Sequence, residues 1–454
     1  MEMHAHTHEA GPPYFPPNDL QKSATHLFPP GHPLASLTKP SFRSIREALC
    51  SVDISMEWND SLYDPRREAF RPNPDRLFGE GTRLVMPQAA CYLSSPGRNG
   101  IFLPHLSDRS VTAYFQRYGF VGDDVFYIKS LEEIKQTALE RGRKVYSIDD
   151  LPDDFDDISV NSARTVRMLN SKAFVSELSA YAPHEFRGDL REGASPLVSK
   201  ILEFLQEGTV YVKTSDTESA GRGVFRVESE LEAITVINDS IKRFHATPGL
   251  QSVVIIQPAI KGVNKSFQVL ITDEWRSNLQ VVALTDQLVG QNGVTYAGSV
   301  NHEVTADRLE RIGPAIIDMV ERIQAKCPDA RGFLMCDYFE RPDGSVVLFD
   351  PGLRPSGNTA GAMAKLWVES VTGSTLSIKN RVPLEVSEPG LPWLKLCERL
   401  GKYSSPDSIV TEGRGVLLQG YNHLASKARL IVVTRTPDEQ ASFIRELQER
   451  AQKG

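Results

Sequence analysis

Residues Gly332 to Thr359 read GFLMCDYFERPDGSVVLFDPGLRPSGNT, and this stretch is the most informative about the fold. Two apolar runs, each typical of a strand, flank Asp343-Gly344, a dipeptide that favours a tight hairpin turn. Each run carries one carboxylate, Asp337 in the first and Asp350 in the second. Antiparallel strands joined in this way can present both side chains close together on one face. Because buried carboxylates are costly unless they are paired or bind a cation, the hairpin predicts a Mg²⁺ site at Asp337 and Asp350.

The segment directly after Asp350 offers groups that suit a developing phosphoryl charge. It contains the guanidinium of Arg354, backbone donors at 356–358 and the amide of Asn358. Charge-assisted hydrogen bonds from such groups stabilise oxyanions, so we predict catalytic roles for Arg354 and Asn358. An ion pair between Arg354 and one of the two carboxylates, which would simply hold a loop, is the alternative from these residues alone.

A second signal lies upstream, where Val210-Tyr211-Val212-Lys213 reads as a strand that ends in a lysine. Gly221 and Gly223 follow it in a short loop. Glycines let backbone N–H groups approach phosphate oxygens and the ammonium of Lys213 neutralises charge, so this pattern suits a nucleoside triphosphate. The GxxxxGK[ST] spacing of a Walker loop is absent. A plain β-hairpin is the alternative reading of the same residues.

Changes in composition divide the chain into four segments. Residues 1–40 are rich in proline and histidine without apolar periodicity, and we expect a flexible arm there. Short apolar runs alternate with helical patterns over 41–160, which predicts a small parallel α/β domain. The pattern over 161–384 is α+β with mostly antiparallel strands, and 385–454 forms a further small α/β unit.

Individual elements follow from apolar periodicity and turn residues. Helices are predicted at Arg109–Tyr118, Leu131–Arg141, 161–181 and 229–244, from near Tyr421 onward, and after a capping box at Thr436–Glu439. Strands are predicted at Thr82–Val85, Gly100–Leu103, Val125–Ile128, Val145–Ile148, Val210–Lys213, Val253–Gln257, Ser266–Thr272, Gln280–Leu284, Ser345–Asp350, Val416–Gln419 and Arg429–Thr434.

The bulk properties exclude several classes of protein. A chain of 454 residues exceeds what one hydrophobic core usually serves, so two or three domains are expected. The formal net charge of −7 argues against a dedicated nucleic-acid binder. No apolar run is long enough to span a membrane, and the N-terminus lacks the apolar core of a secretory signal. With five widely spaced cysteines read as reduced thiols, we expect a cytoplasmic protein, with a homodimer as the default assembly.

The order of these motifs resembles the ATP-grasp superfamily. It starts with Lys172 and continues with Lys213 and its glycine loop, the segment Gln257–Gly262, Asp337, and the closing run from Asp350 to Gly357. The resemblance covers the region 161–384 and implies an ATP-grasp fold of the α/β and α+β class. It further implies that 41–160 is a pre-ATP-grasp α/β domain and that 385–454 is a small C-terminal α/β unit.

The resemblance also implies roles for individual residues. It assigns Lys172 and Lys213 to the ATP phosphates, Gly221 and Gly223 to the loop over them, Gln257, Ile260 and Asn264 to the adenosine, and Asp337 and Asp350 to Mg²⁺. Three positions depart from the usual pattern. Gln257 and Asn264 stand where glutamates are common, and Gly352 stands where the closing motif normally has a metal-binding asparagine. Asn358, in the next turn, is the candidate substitute.

The function implied by the resemblance is an ATP-dependent carboxylate–amine ligase that forms an amide through an acyl-phosphate and releases ADP and phosphate. Its partners would be a small carboxylate, such as an amino acid, and an amine or peptide acceptor, without nucleic acid or membrane. The closing run and the C-terminal unit are similar to those of peptide ligases of the pheganomycin-biosynthesis type. Two alternatives stay open: an ATP-binding protein without turnover, which Gly352 favours, and a grasp-type phosphotransferase, for which the isolated histidines offer no phosphohistidine setting.

Overall fold

The computed structural model describes residues 24–55, 88–104, 107–147, 153–214, 223–246, 251–289, 296–355, 358–386, 388, 390–423 and 427–453. The α-helices are α1 (Phe42–Ala48), α2 (Arg109–Arg117), α3 (Leu131–Arg141), α4 (Ala163–Asn170), α5 (Val175–Leu178), α6 (Ala194–Leu205), α7 (Glu230–Ala246), α8 (Ala306–Lys326), α9 (Thr359–Thr372), α10 (Trp393–Leu400), α11 (Pro406–Glu412) and α12 (Glu439–Gln452). Short 3₁₀ helices lie at Ala89–Leu93, Asp153–Phe155, Lys172–Phe174, Leu190–Glu192 and Gly401–Ser404.

The strands are β1 (Thr25–His26), β2 (Leu37–Lys39), β3 (Val52–Ser55), β4 (Ile101–Pro104), β5 (Val125–Ile128), β6 (Lys144–Ser147), β7 (Phe186–Asp189), β8 (Val210–Thr214), β9 (Val224–Val227), β10 (Val253–Pro258), β11 (Val263–Ile271), β12 (Leu279–Val289), β13 (Tyr296–His302), β14 (Gly332–Glu340), β15 (Val346–Leu353), β16 (Ser377–Glu385), β17 (Gly415–Asn422) and β18 (Lys427–Thr434). They form three sheets. Among the described residues, no helix is both long and apolar enough to cross a lipid bilayer.

The N-terminal sheet is parallel, with the strand order β5-β4-β3-β6, so the predicted small α/β arrangement is confirmed. Strand β5 and helix α3 have the predicted bounds, and α3 ends at Gly142, whose φ of 60° provides the left-handed cap. The buried carboxylate of Asp53 accepts from the Gly100 N–H at 2.7 Å and from Arg141 at 2.9 Å. The strand predicted at Thr82–Val85 lies outside the described residues.

The second sheet is antiparallel, with the order β7-β10-β8-β9, and α6 and α7 contribute to its core. The continuous helix predicted over 161–181 is wrong. Helix α4 stops at Asn170 because Ser171 is extended (φ −90°, ψ 127°) and its hydroxyl caps the next turn at Ala173. This break places Lys172 at the start of a separate 3₁₀ turn.

The third sheet has ten strands, with the main order β15-β14-β11-β12-β13-β16-β18-β17. Its pairings are antiparallel except that β2 runs parallel to β12, so the predicted antiparallel character of this region is confirmed. Phe267 of β11 shares a core cluster with Ile316 of α8, whereas Val282 of β12 belongs to the cluster that contains Met363 of α9. Strands β17 and β18 continue this sheet through β16.

The structure of this region contradicts several predictions. Within the expected flexible arm, residues 24–40 are ordered on it: Leu37 is fully buried and pairs with Leu279. The helix expected from Tyr421 is wrong, because Tyr421 lies in β17, where both faces of the strand are buried. The capping box at Thr436–Glu439 does not form, since α12 begins at Glu439 and no side chain caps it. Six of the helices described above were not predicted: α1, α6, α8, α9, α10 and α11.

Candidate functional site

The predicted hairpin is present, and it brings the two carboxylates together. Asp337 of β14 lies directly opposite Asp350 of β15, and the chain reverses at Gly344, whose φ is 82°. Burial first, and then the neighbouring Asp350 charge, raise the pKa of Asp337 to about 7. The side-chain amide of Gln287 on β12 donates to Asp337 Oδ1 and partly opposes this shift. Asp350 stays partly accessible, with 29% of its side chain exposed, so the pair can be reached from solvent.

Both predicted lysines lie near this pair. The Lys172 Nζ atom is 3.1 Å from Asp350 Oδ1, and its side chain is only 6% exposed. The Lys213 Nζ atom donates to Gln257 Oε1 at 2.6 Å. Burial lowers the pKa of Lys213 to about 8, and the Lys172 charge contributes in the same direction, whereas Asp350 opposes it. The site therefore contains a buried ammonium that is incompletely compensated by anions.

Two aromatic rings connect the second sheet to the third at this point. The Lys213 ammonium lies 5.2 Å from the centroid of Phe349, the residue before Asp350. Phe349 in turn stacks on Phe339 of β14, with ring centroids 4.7 Å apart and planes 23° from parallel. A cation over a ring face is attracted by the quadrupole of the ring. The lysine of one sheet and the acids of the other thus lie near each other where the two sheets meet.

The residues assigned to adenosine lie along the connection between these two sheets. Gln257 is near the end of β10 and is bonded to Lys213, and Ile260 follows in the linker to β11. Asn264 lies on β11 opposite Phe339. Its Oδ1 is buried without a hydrogen-bond partner. A buried acceptor left unpaired costs free energy, which is consistent with a polar ligand at this position.

The glycine loop is described only at its end. Gly223 has a φ of 64°, a backbone conformation that side chains rarely adopt, and its carbonyl accepts from the Thr214 N–H at 3.2 Å. Gly221 lies outside the described residues. The predicted role of both glycines over a phosphate stays a prediction.

The closing run places Arg354 just after β15. A Cβ atom built on Gly352 would lie 3.5 Å from Arg354 Nε and 3.4 Å from both Asn170 Oδ1 and Met335 Sδ, which are ordinary contacts. The space beside Gly352 therefore admits a side chain. The proposed substitute, Asn358, is 4% exposed, and its Oδ1 accepts from Ser299 Oγ at 2.7 Å.

Within the described ranges, no group of three or more His, Cys, Asp and Glu side chains is arranged to hold a metal ion. Mg²⁺ that bridges nucleotide phosphates needs fewer protein ligands, since one or two carboxylates usually suffice. Asp337 and Asp350 provide two carboxylates, and a divalent cation would offset both the burial and the Asp350 charge that raise the pKa of Asp337. The residues present therefore fit such an ion.

Sequence reasoning missed Gln287, Phe349 and Glu185 as parts of this site. The side chain of Glu185 is 6% exposed, and burial raises its pKa despite the nearby Lys213 and Arg187. The available signal for Gln287 was the polar run Thr285-Asp286-Gln287, which interrupts the apolar residues of β12. Nothing local in the sequence connects Gln287 with Asp337.

Comparison with known proteins gave matches only at the level of structure. No protein-family profile and no curated protein sequence matches the chain. An ADP complex of N5-carboxyaminoimidazole ribonucleotide synthetase superposes with a TM-score of 0.51 at 12% identity, covering 81% of this chain and 95% of that one. The carboxyaminoimidazole ribonucleotide synthase of Aspergillus clavatus, complexed with ATP, gives 0.51 at 12% identity, with 88% and 98% covered. The phosphoribosylamine–glycine ligase of Thermotoga maritima gives 0.50 at 12% identity, with 82% and 95% covered.

These neighbours are ATP-grasp proteins, and they cover most of the chain. The protein therefore has the ATP-grasp fold, and the fold expectation is confirmed. At 12% sequence identity, these superpositions establish the fold and nothing about the reaction.

Proposed function

We propose that the protein is an ATP-dependent ligase that joins a carboxylate to an amine and releases ADP and phosphate. The observation that carries this proposal is the meeting of Lys172 and Lys213 with Asp337 and Asp350 where the second and third sheets adjoin. Attack of a carboxylate on a triphosphate brings anions together, and paired cations reduce that repulsion. Support also comes from the fold neighbours, one of which is named a ligase and another of which was determined with ATP.

The nucleotide would lie between the second and third sheets, within the region 161–384. Lys172 and Lys213 would bind its phosphates, and the loop that ends at Gly223 would cover them. The backbone from Gln257 to Ile260, with Asn264, would contact the adenosine. Asp337 and Asp350 would hold Mg²⁺, which supplies charge neutralisation to the phosphates when bound.

The reaction would proceed in two displacements. A carboxylate oxygen attacks the γ-phosphorus, and the bond to the bridging oxygen breaks, so that ADP leaves. The acceptor nitrogen then attacks the acyl carbon and loses a proton, and phosphate leaves with the electron pair of the C–O bond. Arg354 would stabilise the oxyanion, with a hydrogen-bonding contribution from the Asn358 backbone. The stacked rings of Phe339 and Phe349 beside Lys213 would help to exclude water from the acyl-phosphate.

The substrates we propose are a small carboxylate of the amino-acid class and an amine or peptide acceptor. The particular reaction would be that of peptide ligases of the pheganomycin-biosynthesis type, on the similarity of the closing run and of residues 385–454. The region 41–160 would serve as the pre-ATP-grasp domain.

One observation favours a second candidate function. Gly352 provides no side chain where a second metal ligand is expected, and Asn358 Oδ1 is bonded to Ser299. A protein that binds ATP without turnover would tolerate this loss. Such a protein would bind Mg·ATP and release no ADP with any mixture of substrates.

The test is to incubate Mg·ATP with the amino acids, singly and in pairs, and to identify the nucleotide product. The ligase predicts ADP and phosphate only when an amino acid is present, and loss of both products in Lys213→Ala. Lys200→Ala is the matched control, because the Lys200 ammonium donates to Glu203 at 2.7 Å and lies over the Phe186 and Phe204 rings, without a contact to the four site residues. Release of AMP and pyrophosphate would contradict acyl-phosphate chemistry.

A further inference from the structure

The N-terminus of α9 shows no side-chain cap among the described residues, which resume at Asn358. This 14-residue helix follows the closing run directly, has no side-chain cap at Asn358, and has no acidic residue in its first turn. The two side chains best placed to cap it are engaged elsewhere, since Asn358 Oδ1 accepts from Ser299 and Thr359 Oγ1 donates to Gln268 at 2.9 Å. First-turn N–H groups such as those of Ala360 and Gly361 have no preceding helical carbonyl to bond, and they carry the positive end of the helix dipole.

A second, independent feature points into the same place. Asn380 of β16 is 1% exposed, and neither its Oδ1 nor its Nδ2 has a hydrogen-bond partner. A Cβ atom built on Gly361 would lie 1.6 Å from Asn380 Oδ1 and 2.0 Å from Nδ2. The amide therefore fills the space that any side chain at position 361 would need. Leaving a buried amide unpaired costs free energy, so a ligand is the natural explanation for it.

The backbone of β16 is distorted where it presents this amide. The register of β16 against β18 shifts between Lys379 and Val382. Arg381, within that bulge, is the only described residue other than glycine with a positive φ, at 56°. The Arg381 N–H donates to Gln419 Oε1 at 3.1 Å, which holds the bulge in place. Strained backbone of this kind tends to occur where a side chain must be aimed at a ligand.

The location of this feature suits a substrate group beyond the reacting atoms. Thr359 is tied to Gln268, which lies two residues beyond Ser266 on β11, and Ser266 is directly opposite Asp337. Two residues along a strand span about 7 Å. The helix N-terminus is thus linked to the carboxylate pair through two residues of one strand.

We infer that Ala360, Gly361 and Asn380, here called the carboxylate subsite, bind the free carboxylate of the acceptor. The N–H groups of the first turn would donate to the anion, and Asn380 Nδ2 would add a further donor. The acceptor is then an amino acid, or a peptide with a free carboxyl end, that is acylated on its amino group. This inference rests on the proposed ligase function, to which it adds the class of acceptor and the direction of extension.

The test measures binding, so that it does not depend on turnover. Calorimetric titration of the Mg·ADP complex uses the proteinogenic amino acids and simple dipeptides, each compared with its carboxamide. Wild type is expected to bind at least one free acid about ten-fold or more tighter than its carboxamide, as expected for hydrogen bonds to a charged group. Asn380→Leu is expected to lose that preference and to keep its affinity for Mg·ADP.

The matched control is Asn301→Leu, because the Asn301 amide on β13 is also buried without a partner but lies outside the carboxylate subsite. It should keep the preference for the free acid. Asn380→Ser introduces a small polar side chain, so it is a second variant in case leucine at this position prevents folding. It should also lose the preference for the free acid over the carboxamide.

Three outcomes would overturn the inference. They are equal binding of acids and carboxamides by wild type, an unchanged preference in both Asn380 variants, and weakened Mg·ADP binding in place of weakened acid binding, which would assign the subsite to a phosphate. Failure of the ligase function is recognised separately, by the absence of ADP release.

Discussion

Lys213 offers a quantitative test of the nucleotide site, because burial lowers its pKa from 10.5 to about 8. At pH 8 about half of the molecules then have an uncharged lysine, and at pH 7 about a tenth have one. A triphosphate beside the Nζ atom would favour the ammonium and raise the pKa again. Binding of a nucleotide should therefore take up about half a proton per site at pH 8 and about a tenth at pH 7.

The measurement is calorimetric titration with a non-hydrolysable Mg·ATP analogue in two buffers of different ionisation enthalpy. Asp337, with a pKa of about 7, would release a proton when a cation binds, but at pH 8 only about a tenth of it is still protonated. Net uptake at pH 8 thus reports mainly on Lys213. Lys213→Met removes the titrating group while keeping a chain of similar length, so its binding enthalpy should not show this uptake. A binding enthalpy that does not depend on the buffer at pH 8 in wild type, or equal proton uptake in Lys213→Met, would contradict the lowered pKa of Lys213.

Three further predictions concern stability and the metal. Because Lys213 has a higher pKa in the unfolded chain than in the folded protein, the unfolded chain binds more protons between pH 8 and 10.5. The free energy of unfolding of wild type relative to Lys213→Met, measured with urea, should therefore rise over that window by at most about 3 kcal/mol. A difference in free energy that does not change with pH would contradict the buried ammonium. Gly352→Asn should lower the Mg²⁺ concentration that gives half-maximal phosphate release several-fold. The reason is that a Cβ atom at position 352 meets only ordinary contacts and that the asparagine amide adds an oxygen ligand. An unchanged Mg²⁺ titration would show that position 352 does not face the metal. Gly332→Ala should destabilise the fold by roughly 2–4 kcal/mol, because φ is 98° at this position and a Cβ atom would lie 2.4 Å from the Tyr146 ring. A melting temperature equal to that of wild type would contradict the close packing of Gly332 against Tyr146.

Much of the site was predictable because its signals are local. The Asp343-Gly344 turn and the strands around it determine which residues oppose each other, so Asp337 and Asp350 could be paired from sequence alone. Lys213 at the end of a strand was predictable for the same reason.

The remaining features depend on contacts between distant parts of the chain. Gln287 reaches Asp337 only because β12 lies one strand beyond β11 in the sheet, and Asn380 meets Gly361 only through the long-range placement of α9. Helix α8 was missed although it is amphipathic, and it contains Pro314, which usually argues against a helix interior. Tyr421 was assigned to a helix because a strand buried on both faces lacks the alternation that identifies a strand.

We propose that the hairpin acids Asp337 and Asp350 and the two lysines form one catalytic site for ATP. The most direct measurement is phosphate release from Mg·ATP, with the amino-acid mixture that supports it, in Asp350→Asn and Asp343→Asn. Both substitutions fall in the same hairpin, but only Asp350 faces Asp337 and contacts Lys172, whereas Asp343 caps the turn by accepting from Ser345. We predict that Asp350→Asn loses at least about 100-fold in rate and that Asp343→Asn stays close to wild type. Equal rates in the two variants, with both proteins folded, would contradict the account.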